Sequence, residues 1–417
     1  MGDLALRTSA GSCVNALPGA IVLGLENAIG LTVVRELGQH GVPVHGVARD
    51  ADAIGIVSRH CASWSQRPSG PIADWLPALI ARTGARAVLA ISEPDLIALS
   101  TLPARIGECH ILTPRADPLA KVLDKLQTLQ AAESIGLLTP QTWQPQAGED
   151  FAARAADLPY PLVAKWANPP DIQPILERAG LEWIKTDYIR TPQQLFALLD
   201  RYAPIGRWPL IQQYCAGVGL GQMLYMAGGR ATLRFQHRRL HEWPPEGGVS
   251  TYCRAEPASA HQAQMDQSER LLQALGWEGQ AMVEYRHEPD SGRYWLMEVN
   301  GRFWGSLPLA RYCGAHFAWE AYRRAVLGQN DPAPPPRDTL RARYMVPETK
   351  RLLRILLAPG RIGDPFFRRR PLADLASWLL DFLDPRARYY VFSRSDPRPW
   401  LRDMAQIVRK AVRGEKR

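Results

Sequence analysis

Apolar residues recur along this chain in two alternating rhythms. AIVLGL (20–25) is a continuous apolar run, Asn27 to Gln39 carries apolar positions at helical spacing and stops at Gly41, and VPVHGVA (42–48) is a second run. RAVLAIS (86–92) and CHILTP (109–114) follow in the same style. Strand patterns alternating with helix patterns predict a parallel sheet covered by helices. The turn GLENAIG (24–30) stands where a dinucleotide fingerprint would, but it lacks the second of the three glycines and reads as a turn closing strand onto helix.

The pattern then changes. One helix is predicted from near Pro118 to Gly136, with Lys121 and Lys125 on one face. PLVAKWA (161–167) and PLIQQYCAG (209–217) read as strands, the first holding Lys165 alone in an apolar run. Residues 168–190, with Pro169, Pro170, Gly180 and Lys185, are expected to form a strand, a loop and a strand over a ligand. FQHRRLHEWPPEGGVSTY (235–252) is dense in Arg, His and Glu, and a helix is expected from about His261 to Leu275. GQAMVEYRH (279–287) and RYWLMEVN (293–300) read as the strands of a hairpin.

That hairpin carries the chemistry. A three-residue loop, Asp290-Ser291-Gly292, puts Gly292 at the left-handed last position. Pro289 then faces Arg293, and Glu284 falls opposite Glu298, with Cβ atoms roughly 5 Å apart. Two carboxylates that close repel unless a proton or a cation lies between them. Glu298, Asn300 and Arg302 follow at two-residue steps and so share a face in an extended chain. The hard-oxygen set Glu284, Glu298 and Asn300 suits Mg²⁺ bridging to substrate phosphates. Arg302 is placed to hold a phosphoryl oxygen bidentately.

Bulk properties narrow the class. A chain of 417 residues suggests two or three domains. The net charge of +9 resembles a nucleic-acid signal, but residues 340–417 hold 19 Lys+Arg against 8 Asp+Glu, a balance of +11, which leaves about −2 for the rest. No nucleic-acid partner is therefore expected. Six scattered cysteines without a CxxC pair, no long uncharged apolar run, and Asp3 and Arg7 near the start point to a cytoplasmic protein.

Lys125 in a DK pair, Lys165 in PLVAK, the hinge-like IQQYCAG, Glu284 after a strand, and EVNGR at 298–302 resemble the ATP-grasp superfamily in kind, order and spacing. HRRLHEWPPEGGVST and NGRFWGSLPLA are most similar to its carboxylate–amine ligase-like branch, related to carbamoyl-phosphate synthase and biotin carboxylase. A leader (1–18) is expected first; the resemblance, which covers about 19–327, implies a pre-grasp α/β domain (19–117) and an ATP-grasp domain (118–327). That domain would have two antiparallel-sheet subdomains, the lid covering about 160–215. A Pro-rich linker (328–338) and a helical basic extension (339–417) complete the chain.

The resemblance also implies roles. Lys125 and Lys165 would hold ATP phosphates, and the backbone of Gln213, Tyr214 and Cys215 would meet the adenine edge. Glu284, Glu298 and Asn300 would bind one or two Mg²⁺ ions, or Mn²⁺. Arg302 would hold the transferring phosphoryl group, and Arg239 the carboxylate or acyl phosphate. Two departures stand out: only Gly180 where many members have a glycine-rich phosphate loop, and Gly219 near where many place a ribose-binding acid.

The implied activity is ADP-forming ligation of a small carboxylate to an amine. The alternatives are a non-catalytic ATP-binding regulator and a bicarbonate-using carboxylase. The segment 372–383 is expected to pack on the ligase body through Leu372, Leu379 and Phe382. The other reading is contact with an anionic membrane or an acidic partner.

Overall fold

The computed structural model describes residues 17–413 apart from 185, 246, 365 and 366, so Cys13 and Lys185 lie outside the described residues. The first sheet follows the apolar runs. Strands β1 (Ala20–Leu23), β2 (Val44–Ala48), β3 (Ser63–Gln66), β4 (Ala87–Ala90) and β6 (Cys109–Ile111) pair in parallel, with β5 (Arg105–Ile106) antiparallel at one edge, in the order β3-β2-β1-β4-β6-β5. Helices α1 (Ala28–Gln39), α2 (Ile72–Thr83) and α3 (Glu93–Ser100) lie in the connections. Asn27 caps α1 by accepting the amides of Ile29 and Gly30. A Cβ on Gly30 would sit 1.9 Å from the Gly24 carbonyl, so glycine there serves close strand-to-helix packing.

Inside α1, Glu36 is wholly buried and accepts the Trp319 amide at 2.8 Å. Burial, only partly offset by that bond and by Arg311, pushes its pKa up to about 7. Because the folded value lies above the ordinary one of 4.5, Glu36 costs stability as pH rises from about 4.5 through 7. Glu36→Gln keeps an acceptor for Trp319 and should stabilise the fold at pH 8 by roughly 2–3 kcal/mol but hardly at pH 5, as urea titrations at both pH values would check.

The stretch expected to be one helix is two. Helix α4 (Ala116–Leu123) ends at Asp124, whose extended backbone lets its carboxylate accept the Leu126 and Gln127 amides and start α5 (Lys125–Ser134). Lys125 is thus the first residue of a new helix and shares no continuous helix face with Lys121.

Next comes a four-stranded antiparallel sheet in the order β7-β10-β8-β9, made of β7 (Thr142–Trp143), β8 (Leu162–Lys165), β9 (Asp187–Ile189) and β10 (Leu210–Gln213). It carries α6 (Phe151–Ala156), α7 (Pro169–Arg178) and α8 (Pro192–Tyr202). Its core, including Trp143, Leu162, Trp166, Leu199 and Trp208, is separate from the others. This unit takes in residues from Thr142, ahead of the expected start near 160. The first part of the expected strand–loop–strand is instead α7, with proline in its first turn, where the missing amide hydrogen breaks no helical bond. A helix occupies the place where a glycine-rich run was sought.

The third sheet has the order β15-β14-β11-β12-β13-β16-β17. Its strands are β11 (Val218–Ala227), β12 (Arg230–Trp243), β13 (Val249–Ala255), β14 (Gly279–Glu288), β15 (Arg293–Asn300), β16 (Arg341–Arg343) and β17 (Ala387–Tyr389), antiparallel except for β16 with β17. Around it lie α9 (Gln262–Ala274), α10 (Leu307–Tyr312), α11 (Phe317–Leu327), α12 (Met345–Leu357), α13 (Pro371–Leu380) and α14 (Arg398–Arg413). Two apolar cores join the first sheet to the third: Val22 and Val44 share one with Phe303, Trp304 and Tyr390, and Ile21 and Val88 share another with Trp277, Tyr285 and Leu296.

The Pro-rich stretch 328–338 has neither helix nor strand, yet it is tied down: Arg323 donates to the Asp331 carbonyl at 2.6 Å and the Arg337 amide to Cys313 at 2.7 Å. The basic extension packs on the body, though not as expected. Strand β16 joins the third sheet beside β13, Tyr390 enters a shared core, and Asp396 forms a buried pair with Arg35 at 2.9 Å. Leu372, Leu379 and Phe382, expected to make the packing, are exposed instead. No helix among the described residues is long and apolar enough to cross a membrane.

Candidate active site

The predicted hairpin forms, and its register is reached by a different route. Glu288 pairs with Arg293 across a four-residue turn, Pro289 to Gly292, closed by the Gly292 amide on Glu288 at 2.8 Å. The expected three-residue loop is therefore one residue too short. A bulge at Met297 restores the offset, so that Glu284 pairs with Glu298 and Met282 with Asn300.

The two carboxylates face one another as the alternation requires. The Asn300 amide nitrogen donates to Glu284 at 3.0 Å and to Glu298 at 3.3 Å. Lys125 Nζ lies 3.9 Å from Glu298, and Arg239 forms a close ion pair with Glu284. Arg302 leaves the strand register after Asn300, and its Nε donates to Glu93 of α3 at 2.8 Å.

Behind the carboxylates lies a charge cluster. Burial works against the charge on Arg239, but Glu284, Glu242 and Glu298 outweigh it and raise its pKa. Glu242 lies 3.6 Å from Arg239 and 3.4 Å from Arg286, and the two guanidiniums, Arg286 first, hold its pKa below the usual range despite burial. His237, two residues before Arg239, bonds Ser306 at 2.6 Å, and burial with Arg239 pushes its pKa down to about 3, so it is neutral.

These groups line two cavities that meet at Lys125, Pro169 and Glu298. The larger, about 190 Å³, lies between the four-stranded unit and the third sheet and is lined by Lys165, Gln213, Tyr214, Cys215, Arg239 and Glu284, among others. The smaller, about 170 Å³, is bounded by Glu93, Asn300 and Arg302. Every predicted site residue therefore borders one cavity or the other. Lys165 sits on β8 opposite Leu210, and desolvation, opposed by Glu298 and reinforced by Arg286 and Lys125, lowers its pKa. At the hinge, the amides of Gln213 and Tyr214 donate to Gln141 and Pro161 carbonyls. Burial pushes the Cys215 thiol up to about 12, which rules out a thiolate there.

Four residues escaped the sequence reading. Glu242 lay within the segment noted as rich in Arg, His and Glu, and Arg286 within the VEYRH strand, but neither has a local signal for its partner. Glu93 reaches Arg302 from α3. Asp364, in the basic extension, lines the larger cavity and accepts a hydrogen bond from the Tyr214 hydroxyl at 3.4 Å. Gly219 has a packing reason: a Cβ there would meet the Arg239 side chain at 2.8 Å, so an acid at this position would displace Arg239.

No protein-family model matches the chain, and no curated protein matches it. Solved structures do. An N5-carboxyaminoimidazole ribonucleotide synthetase bound to ADP superposes with TM-score 0.59 at 14% identity, over 78% of this chain and 81% of that one. The biotin carboxylase domain of Hydrogenobacter thermophilus 2-oxoglutarate carboxylase, in complex with MgADP, ADP and bicarbonate, gives 0.58 at 14%, over 78% and 73%. An L-amino acid ligase from Bacillus licheniformis gives 0.54 at 15%, over 76% and 78%. Over about three-quarters of its length the chain thus shares the fold of these proteins, the ATP-grasp fold.

Proposed function

We propose that the protein is an ADP-forming ATP-grasp ligase that activates a small carboxylate as an acyl phosphate and joins it to an amine. The observation that carries this is the arrangement where the two cavities meet, in which two facing carboxylates and an amide are flanked by Lys125, Lys165 and Arg239 on one side and Arg302 on the other. A protein that only bound nucleotide would have little use for Arg302 and Glu93 in the second cavity.

The donor set fits Mg²⁺. Glu284 and Glu298 come from paired strands, and Asn300 already bridges both. Turning the Asn300 amide over would offer its oxygen to the same point. Mn²⁺ takes the same oxygen donors. Bound there, the ion would neutralise ATP phosphate oxygens.

The larger cavity would take the nucleotide, its adenine edge against the carbonyls of the hinge and the Cys215 amide, since the Gln213 and Tyr214 amides are engaged. Asp364 would supply the carboxylate for the ribose hydroxyls that Gly219 does not. Lys165 and Lys125 would hold the phosphates from two sides. In the smaller cavity Arg302, released from Glu93, would position the substrate carboxylate. Its oxygen would attack the γ-phosphorus and ADP would leave; an amine would then attack the acyl carbon and phosphate would leave. Arg239 would offset the negative charge that builds on the acyl phosphate.

ADP release measured across a panel of amino acids, small carboxylates and bicarbonate tests the reading. Turnover with a carboxylate–amine pair is expected. Turnover with bicarbonate alone would favour the carboxylase, and tight MgATP binding without any turnover would favour a regulator. By calorimetry, Lys165→Ala should weaken MgATP binding about tenfold or more, roughly 1.4 kcal/mol, and Lys125→Ala by less. Equal affinity for wild type and Lys165→Ala would make that lysine structural.

A further inference from the structure

The basic extension packs on the body by one side and leaves another side apolar. On α13 and the turn after it, Leu372, Leu379 and Leu383 stand at i, i+7 and i+11; on α14, Leu401, Val408 and Val412 repeat that spacing. Each set forms one stripe along its helix, and all six side chains are 54–82% exposed. The neighbouring positions, Trp378 on α13 with Phe382 in the turn after it, and Trp400, Met404 and Ile407 on α14, line an apolar cavity of about 720 Å³ between them. Two helices thus flank one apolar cavity and carry bare apolar stripes alongside it, far more than the scattered apolar residues of an ordinary surface.

Charge indicates what covers this face. The extension's balance is +11, and several of its acids are already engaged inside the protein: Asp374 with Arg351, Asp384 with Arg341 and Arg386, Asp396 with Arg35. Arg368, Arg369 and Arg370 are exposed just ahead of α13, and Arg394 and Arg398 at the start of α14. A second copy brought face to face would set one +11 extension against another. Apolar helical stripes with arginine flanks are instead complementary to a surface of acyl chains under anionic head groups.

We propose that this face docks the enzyme on an anionic phospholipid bilayer, with the stripes of α13 and α14 seated at the head-group boundary. The contact is peripheral, and it leaves the nucleotide cavity on other elements.

The test is sedimentation of the full chain with vesicles of phosphatidylcholine alone and of phosphatidylcholine mixed with phosphatidylglycerol. Partition is expected to be at least tenfold stronger onto the anionic vesicles and to weaken as salt is added. Leu379→Asp combined with Leu383→Asp should reduce it at least tenfold while melting temperature and MgATP affinity stay at wild-type values. Leu372→Asp, at a still more exposed position, should reduce it in the same direction. Three results would each overturn the proposal: no preference for anionic vesicles, undiminished binding by the folded leucine variants, or self-association in the absence of lipid that the same variants abolish. The last would assign the face to a second copy.

Discussion

Glu298→Gln should lower ADP formation by at least about 100-fold while leaving the circular dichroism spectrum and melting temperature unchanged. Glu298 is the right position for this test because its surroundings tolerate the change. Its side chain is 38% exposed, and Lys125, 3.9 Å away, can turn to solvent. Glu284 would be a poor choice. It is the close partner of the buried Arg239, and neutralising it would leave a guanidinium buried with less compensation, so lost folding and lost chemistry would be confounded. Glutamine keeps size and one oxygen but removes the negative charge that a cation between the two strands requires. If the facing pair binds the metal, MgATP affinity should fall together with turnover, and added Mn²⁺ should recover part of both. Unchanged turnover in a folded Glu298→Gln protein would sink the metal assignment while leaving the fold untouched.

The parts of this site that were legible in the sequence are those set by local periodicity. Alternation in β14 and β15 is enough to bring Glu284 opposite Glu298, because a two-residue period fixes the face of every side chain. Even so, the loop was one residue longer than its composition suggested, and only the bulge at Met297 returned the glutamates to register. A bulge is chosen by packing on both faces of the sheet and leaves no clear mark in one strand's sequence. Asp124 was legible in principle: a small polar residue before a helical run is a cap signal, and reading through it joined two helices into one. The same holds for Asn168-Pro169, which opens α7 rather than ending a strand. Glu93 and Asp364 were not legible, because each acquires its role from a partner far away in the chain, and Glu242 pairs with Arg286 from another strand as well as with the nearby Arg239. Arg302 meets Glu93 across 209 positions, and Tyr214 meets Asp364 across 150.

That last contact changes how the basic extension is understood. Its charge and the Pro-rich stretch before it mark it in the sequence as a separable unit, yet it supplies Asp364 to the lining of the larger cavity and the last two strands of the third sheet. A packed side and an apolar exposed side are compatible in one element, since α13 and α14 each present two neighbouring stripes.

Truncation after Asp338 should therefore yield insoluble or unfolded protein rather than a soluble ligase. The cut removes β16 and uncovers the free edge of β13, takes Tyr390 out of a shared core, and strips Arg35 of Asp396. An open strand edge beside newly bared apolar surface is a route to aggregation. The Arg35–Asp396 pair alone is expected to weigh heavily. Both side chains are only 2% exposed, and Asp396 also accepts from the Ser58 hydroxyl at 2.7 Å and the Arg59 amide at 3.0 Å. Burial raises the pKa of Asp396, but those bonds and Arg35 more than offset it, and its folded value lies below the ordinary 3.8. The stability it contributes is thus present above about pH 4 and is lost as pH falls through the folded value. Asp396→Ala in the full chain should cost about 3–5 kcal/mol, because it leaves a buried guanidinium uncompensated, and a domain's whole stability is of order 5–15 kcal/mol. Urea denaturation of the single variant measures this cost without the larger disruption of the truncation. Arg35→Met with Asp396→Leu, which removes both charges, should recover most of it. A truncated chain that stays soluble, melts cooperatively and binds MgATP like the full protein would show that the extension is an appendage, and a loss below about 1 kcal/mol in Asp396→Ala would show that Arg35 finds another partner.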